Sequence, residues 1–252
     1  MTVPAYVPGH GLLKDKVVVV TAAAGTGIGH STALKAQEEG ATVVISDWHE
    51  RRTAETAEKL GVKGIVCDVT QQDQVDALIS TVVADHGRLD VMVNNAGLGG
   101  TANLVDMTDE QWLRVLDVTL NGTFRCTRAA LQQMKAQGHG VIVNNSSVIA
   151  WRAQDGQAHY AAAKAGVNAL TRTAGFEAAK FGVRVNAVSP SIAMHPFLAK
   201  VTSDELLAEL SAKEAFGRPA EPWEIANVIV FLASDYSSYM TGEIVSVSSQ
   251  HP

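Results

Sequence analysis

Short, β-branched apolar runs alternate along the chain with longer segments whose apolar positions recur at helical spacing. The runs KVVVVT at 16–21, ATVVISD at 41–47, GIVCD at 64–68, LDVMVNN at 89–95, GVIVNNSS at 140–147, VRVNAVS at 183–189 and EIVSVS at 243–248 predict strands. Helical patterns at 27–40, 50–60, 71–86, 109–136, 157–181 and 221–234 separate them, with a shorter one at 203–214. Strand followed by helix, repeated, is the mark of βαβ units. VVVV and VIV are apolar on both faces, so helices must cover both sides of a parallel sheet. The pattern predicts an α/β fold, a single-domain, doubly wound, seven-stranded sheet of the Rossmann type spanning 1–252. The first 13 or so residues form a polar extension, and residues 190–220, which lack a strand, predict a substrate-binding insertion.

Composition narrows the function classes. Hydrophobic residues make up 46% of the 252 and charged residues 18%, enough apolar material for a large core. The net charge of −6 gives no general attraction to nucleic acid. No signal-peptide pattern and no long apolar span is present, so a soluble cytoplasmic protein is expected, away from membranes. Cys67 and Cys126 have no CxxC spacing and read as reduced core thiols, while the eight histidines have no metal-ligand spacing. No metal is expected.

The strand ends carry the candidate chemistry. Thr21-Ala22-Ala23-Ala24-Gly25-Thr26-Gly27-Ile28-Gly29 lies between the first strand and the first helix. Glycines there let the backbone approach a pyrophosphate, whose charge the helix N-terminus stabilises. Asp47 closes the second strand, placed to accept hydrogen bonds from the adenosine ribose and to repel a 2′-phosphate. NAD(H) is therefore preferred, although Arg51 and Arg52 follow closely and keep NADP(H) open. Asp68-Val69 and Asn94-Asn95-Ala96-Gly97 end two further strands at the same edge, where ligands of such sheets bind.

Tyr160 and Lys164 are four residues apart, hence on one face of an Ala-rich helix. Such a pair arises by chance in about one chain of this composition in six, so context decides. Ser147 supplies it, ending the fifth strand at the edge that carries the glycine loop. A Tyr hydroxyl titrates near about 10, and an adjacent ammonium would favour its phenolate. Tyr160 would then exchange a proton with a substrate oxygen, Lys164 would assist electrostatically and bond the nicotinamide ribose, and Ser147 would steady the substrate. Ser146 should point to the other side of its strand and be structural.

Together these residues resemble the compact short-chain dehydrogenases/reductases, from about Lys14 to Ser249. The resemblance implies hydride transfer between a nicotinamide cofactor and a ketone or secondary alcohol, with a homotetramer or homodimer as the usual assembly. It adds Pro190 and Ile192 to the cofactor residues. It places Thr119 where the family carries the Asn of a catalytic tetrad, an Asn that holds a relay water. Ala22 stands for the first glycine of the family's loop, which here is one residue longer, and His195 corresponds to a common Thr. The loop TAAAGTGIG, the Ser-Pro-Ser turn and the SxQHP ending resemble actinobacterial reductases of sterol ring fragments carried as CoA thioesters. That points to a bulky alicyclic or acyl-CoA substrate beside Trp151, Arg152, His195 and Phe197. The competing reading is a low-activity dinucleotide sensor or scaffold that keeps the fold, motivated by Thr119 and the altered loop.

Overall fold

The computed structural model describes residues 1–194 and 204–249. Among these, seven parallel strands form one sheet in the order β3-β2-β1-β4-β5-β6-β7. They are β1 Val17–Thr21, β2 Thr42–Asp47, β3 Lys63–Val66, β4 Val91–Asn94, β5 Gly140–Asn145, β6 Val183–Pro190 and β7 Ile244–Val247. Eight α-helices among the described residues connect and flank them: α1 Ile28–Glu38, α2 Glu50–Leu60, α3 Gln72–His86, α4 Asp109–Leu116, α5 Gly122–Gln137, α6 Ala158–Ala178, α7 Asp204–Lys213 and α8 Pro222–Ala233.

The valines of β1 show why the sheet is covered twice. Val17 and Val19 enter a core with Leu78, Met92, Cys126 and Met134, under α3, α5 and α6. Val18 and Val20 enter a second core with Ala33, Val93, Val143 and Ile225, under α1 and α8. Side chains alternate across a strand, so one run of valines feeds both layers. At the rough value of 25 cal/mol per Å² of apolar surface removed from water, these two layers are the main source of stability. Cys67 and Cys126 are both buried and unbridged.

The chain crosses from β3, at one edge, to β4, beside β1 in the middle of the sheet. Strand order reverses there, and in doubly wound sheets the crevice that takes a ligand lies at such a point, beyond the carboxyl ends of the strands. The single helix predicted over 109–136 is instead divided, with a π turn at Asp117–Asn121 between α4 and α5. Such turns insert a residue into the helical repeat and concentrate at functional positions. This one contains Thr119.

The N-terminal extension lies against the α1 and α8 layer. The Tyr6 hydroxyl donates to Glu38 at 2.6 Å, its ring meets Trp223 edge-on, and the terminal ammonium of Met1 bonds the Phe216 carbonyl at 2.7 Å.

Candidate active site

The glycine loop begins with a pin. Thr21 Oγ1 accepts from the amides of Asn95 and Ala96 at 3.0 and 3.1 Å and donates to Val93 at 3.3 Å, tying the end of β1 to the end of β4. Ala22 follows with φ of 49°, the left-handed conformation expected of the glycine it replaces. Gly27 is the N-cap of α1 and offers no side-chain cap, and the first turn carries no acidic residue. The leading amides of α1 therefore suit an anion. Gly29 leaves no room for a side chain: a Cβ there would lie 2.4 Å from Asn95 Nδ2 and 2.5 Å from the Ala22 carbonyl oxygen.

Asp47 is buried at the end of β2, where it accepts from the His49 amide at 3.1 Å. Burial raises its pKa, partly offset by that amide and by Arg52, whose guanidinium lies 3.7 Å away. Arg51 turns instead to Glu55. Asp68 accepts from the amide and hydroxyl of Thr70, and Val69 is buried against the position of Gly122. Pro190 ends β6 and Ile192 follows it, with the Ile192 carbonyl accepting from the Ala220 amide at 2.9 Å.

At the other end of the crevice Ser147, Tyr160 and Lys164 come together. Ser147 follows β5 in extended backbone, caps a short turn by accepting from the Ile149 amide at 3.3 Å, and is hydrogen-bonded to the Tyr160 hydroxyl. Lys164 lies one helical turn beyond Tyr160, only 2% exposed, with Nζ 5.4 Å from the centre of the Tyr160 ring. Its Nζ donates to the Asn145 carbonyl at 2.5 Å and faces Gly97, where an added Cβ would sit 3.4 Å from it. Ser146 points away, as expected, and bonds Asn168 at 2.6 Å inside the protein.

The electrostatics differ from those implied by spacing. Burial pushes the Tyr160 hydroxyl up to about 12, against the opposing pull of Ser147, and pushes Lys164 down to about 7. Desolvation disfavours both charged forms, and Nζ is bonded to a main-chain carbonyl. Tyr160 is consequently protonated at neutral pH. Between about 7 and the ordinary 10.5 the unfolded chain holds a proton on Lys164 that the folded chain lacks, so the contribution of Lys164 to stability rises with pH across that window, opposed above the ordinary thiol value of 9.0 by Cys67 and Cys126, whose pKa values burial raises. Lys164→Met should flatten this rise, measured by urea unfolding at pH values inside and below the window.

Thr119 is fully buried and lies in the Gly97 neighbourhood, 3.8 Å from the position of an added Cβ. Its hydroxyl, however, accepts from the Leu98 amide at 2.9 Å and donates to the Leu98 carbonyl at 3.2 Å. Its one proton is taken up by that carbonyl, and the side chain latches the segment after Asn95 to the π turn. His159 escaped the sequence reading: it is buried, its Nδ1 accepts the Tyr160 amide at 2.9 Å, and only its position next to Tyr160 could have drawn attention. Trp151, 44% exposed, and Arg152 follow Ser147 on the same loop. His195 and Phe197 lie outside the described residues.

Residues 22–249 match a family model described as Enoyl-(Acyl carrier protein) reductase. The chain belongs to the short-chain dehydrogenase/reductase family. A "(5R,7aS)-5-hydroxy-7a-methyl-1-oxo-2,3,5,6,7,7a-hexahydro-1H-indene-carboxyl-CoA reductase" of Mycobacterium tuberculosis is 64% identical, over 99% of this chain and 98% of its own. A 3-oxoacyl-[acyl-carrier-protein] reductase of Thermotoga maritima is 41% identical over 93% of this chain and 97% of its own. A crystal structure of a short chain dehydrogenase from Mycobacterium smegmatis superposes with a TM-score of 0.89 at 59% identity, covering 100% of this chain and 99% of that one.

As a short-chain dehydrogenase/reductase the protein is an oxidoreductase that uses a nicotinamide cofactor. Its residues fit that group: Gly25, with φ of 150° and open space where a Cβ would stand, borders the uncapped start of α1, and Asp47 ends β2, the strand paired with β1. Among the described residues no cluster of His, Cys, Asp or Glu could hold a metal, and no helix is long and apolar enough to cross a membrane.

Proposed function

We propose that the protein reduces a ring ketone on a bulky alicyclic CoA thioester with NADH, in the breakdown of sterol-like ring fragments. The observation that carries the chemistry is the Ser147–Tyr160–Lys164 cluster with a protonated Tyr160. The substrate class follows the printed activity of the M. tuberculosis relative. Bound nicotinamide supplies the hydride. Tyr160 donates its proton to the carbonyl oxygen as negative charge grows there, and Ser147 holds that oxygen in line. Lys164 faces Gly97, where it could bond a ribose, and in its protonated form it would compensate charge left on the phenol oxygen.

Asp47 supports NADH over NADPH, since its buried carboxylate would meet a 2′-phosphate and Arg52 is already drawn toward it. We assign Trp151 and Arg152, on the loop after Ser147, to the alicyclic or acyl-CoA portion, together with His195 and Phe197 on the strength of the sequence alone. We place the reaction in the cytoplasm, consistent with two buried free thiols. A homo-oligomer is supported by exposed apolar side chains on the α4, α5 and α6 layer, Leu113, Phe124 and the 81% exposed Phe176.

The test is turnover of a bicyclic ketone carrying a carboxyl-CoA arm beside a straight-chain 3-oxoacyl-CoA, followed by loss of NADH absorbance. The bicyclic ketone should show the higher kcat/KM, and NADH should exceed NADPH by at least about tenfold, the equivalent of about 1.4 kcal/mol. Preference for the straight chain would overturn the substrate reading; preference for NADPH would overturn the role given to Asp47.

A further inference from the structure

Asn145 is the last residue of β5 and has no role in the reaction as derived above. Its neighbours fix which way each amide points. The carbonyls of Thr21 and Ala22 can only accept, so Asn95, 3.1 Å from each, must present Nδ2 to both. Asn95 Oδ1 is thereby turned outward, and it accepts from Asn145 Nδ2 at 2.9 Å. The main-chain carbonyl of the same Asn145 takes the Lys164 ammonium at 2.5 Å. A continuous line of hydrogen bonds thus runs from the backbone of the glycine loop, through two amide side chains, to the residue that holds the reactive lysine.

This line has one end left over. With Nδ2 committed, Asn145 Oδ1 is an acceptor closed to solvent with no hydrogen-bond partner. Leaving such a group buried costs at least what one neutral hydrogen bond returns. Stability therefore gives little reason for an amide at this position. Val143, two residues earlier on the same strand face, and Val188, its register partner on β6, are both in the apolar core under α1 and α8. Valine would suit that face.

We propose that Asn145 is a positioning residue that couples the set of the glycine loop to the placement of Lys164. It acts through Asn95 on one side and through its own carbonyl on the other, and it touches neither substrate nor reacting atoms. The inference rests on the nicotinamide reading of the crevice.

The test measures NADH affinity by calorimetry and thermal stability by circular dichroism for wild type, Asn145→Val and Asn145→Asp. Asn145→Val keeps the carbonyl and the strand but cuts the line, so NADH should bind about tenfold more weakly while the melting temperature is nearly unchanged. Asn145→Asp has the same shape but an acceptor-only carboxylate facing Asn95 Oδ1, and it should lose at least as much NADH affinity. Combined with Lys164→Met, the loss from Asn145→Val should be much smaller than alone, because the coupled partner is already gone. Unchanged affinity in both variants, affinity and stability lost in proportion, or losses that add independently of Lys164 would each overturn the proposal. Failure of wild type to bind NADH would instead overturn the cofactor reading on which it rests.

Discussion

Tyr160→Phe should leave NADH binding intact and lower kcat by roughly 10³-fold, the mid-range for losing a positioned general acid. The change removes one oxygen from a ring that stays packed against Lys164 Nζ, so folding and the melting temperature should hold. At about 1.4 kcal/mol per factor of ten, the loss corresponds to about 4 kcal/mol of transition-state stabilisation. Because burial holds the hydroxyl at about 12, its proton is present across the neutral range, which suits donation to a carbonyl. Stopped-flow NADH oxidation and calorimetry on the same variant separate the two effects. Full turnover by the Phe variant would remove Tyr160 as the acid, and loss of NADH binding would show a role in the cofactor site that the geometry does not require. The dinucleotide-sensor reading predicts no turnover in wild type, so the same pair of proteins distinguishes it.

Gly29→Ala is expected to act on the opposite end of the crevice with comparable force. The new Cβ would meet Asn95 Nδ2 at 2.4 Å and the Ala22 carbonyl at 2.5 Å. Neither neighbour can retreat cheaply: Asn95 is bonded to Thr21, Ala22 and Asn145, and Ala22 already sits in a left-handed conformation. Overpacking of this kind costs about 1–3 kcal/mol in stability. The shift it forces would fall on the loop that carries the pyrophosphate, so NADH affinity should drop about 100-fold, seen by calorimetry alongside a lower urea midpoint. A variant with native affinity would show that the start of α1 is not where the dinucleotide binds.

Much of this architecture is legible in the amino-acid order because the sheet is fed from both faces. The run Val17 to Val20 can be nothing but a doubly covered strand, and α2 falls at 50–60, as its periodicity predicts. Strand ends are less legible. The predicted strands at 89–95 and 140–147 stop in the structure at Asn94 and Asn145, where the Asn95 amide turns to Thr21, the Asn145 carbonyl to Lys164 and the Ser146 hydroxyl to Asn168. Those partners are 18 to 75 residues distant, and no local pattern announces them. The π turn at Thr119 is hidden for a related reason, since its latch is to Leu98 and the apolar period runs on through it. Tyr160, Lys164 and Ser147 could be found by type and spacing, but their protonation could not. Spacing places an ammonium near a phenol; only the packing around both says that each is driven toward its neutral form.

The two-layer role of β1 bears on how the length of this chain can vary. A single residue inserted just before Val17 would exchange the contents of the two cores, sending Val17 and Val19 to the α8 side and Val18 and Val20 to the α5 side. It would also carry the Thr21 hydroxyl away from the Asn95 and Ala96 amides. Gly25 and Thr26, exposed in the glycine loop, keep no such alternation, and the loop is one residue longer than the family pattern it resembles. Variation in length is thus absorbed a few ångströms past the point where it would scramble the interior, and insertions designed to reshape the pyrophosphate cradle belong between Ala24 and Gly27.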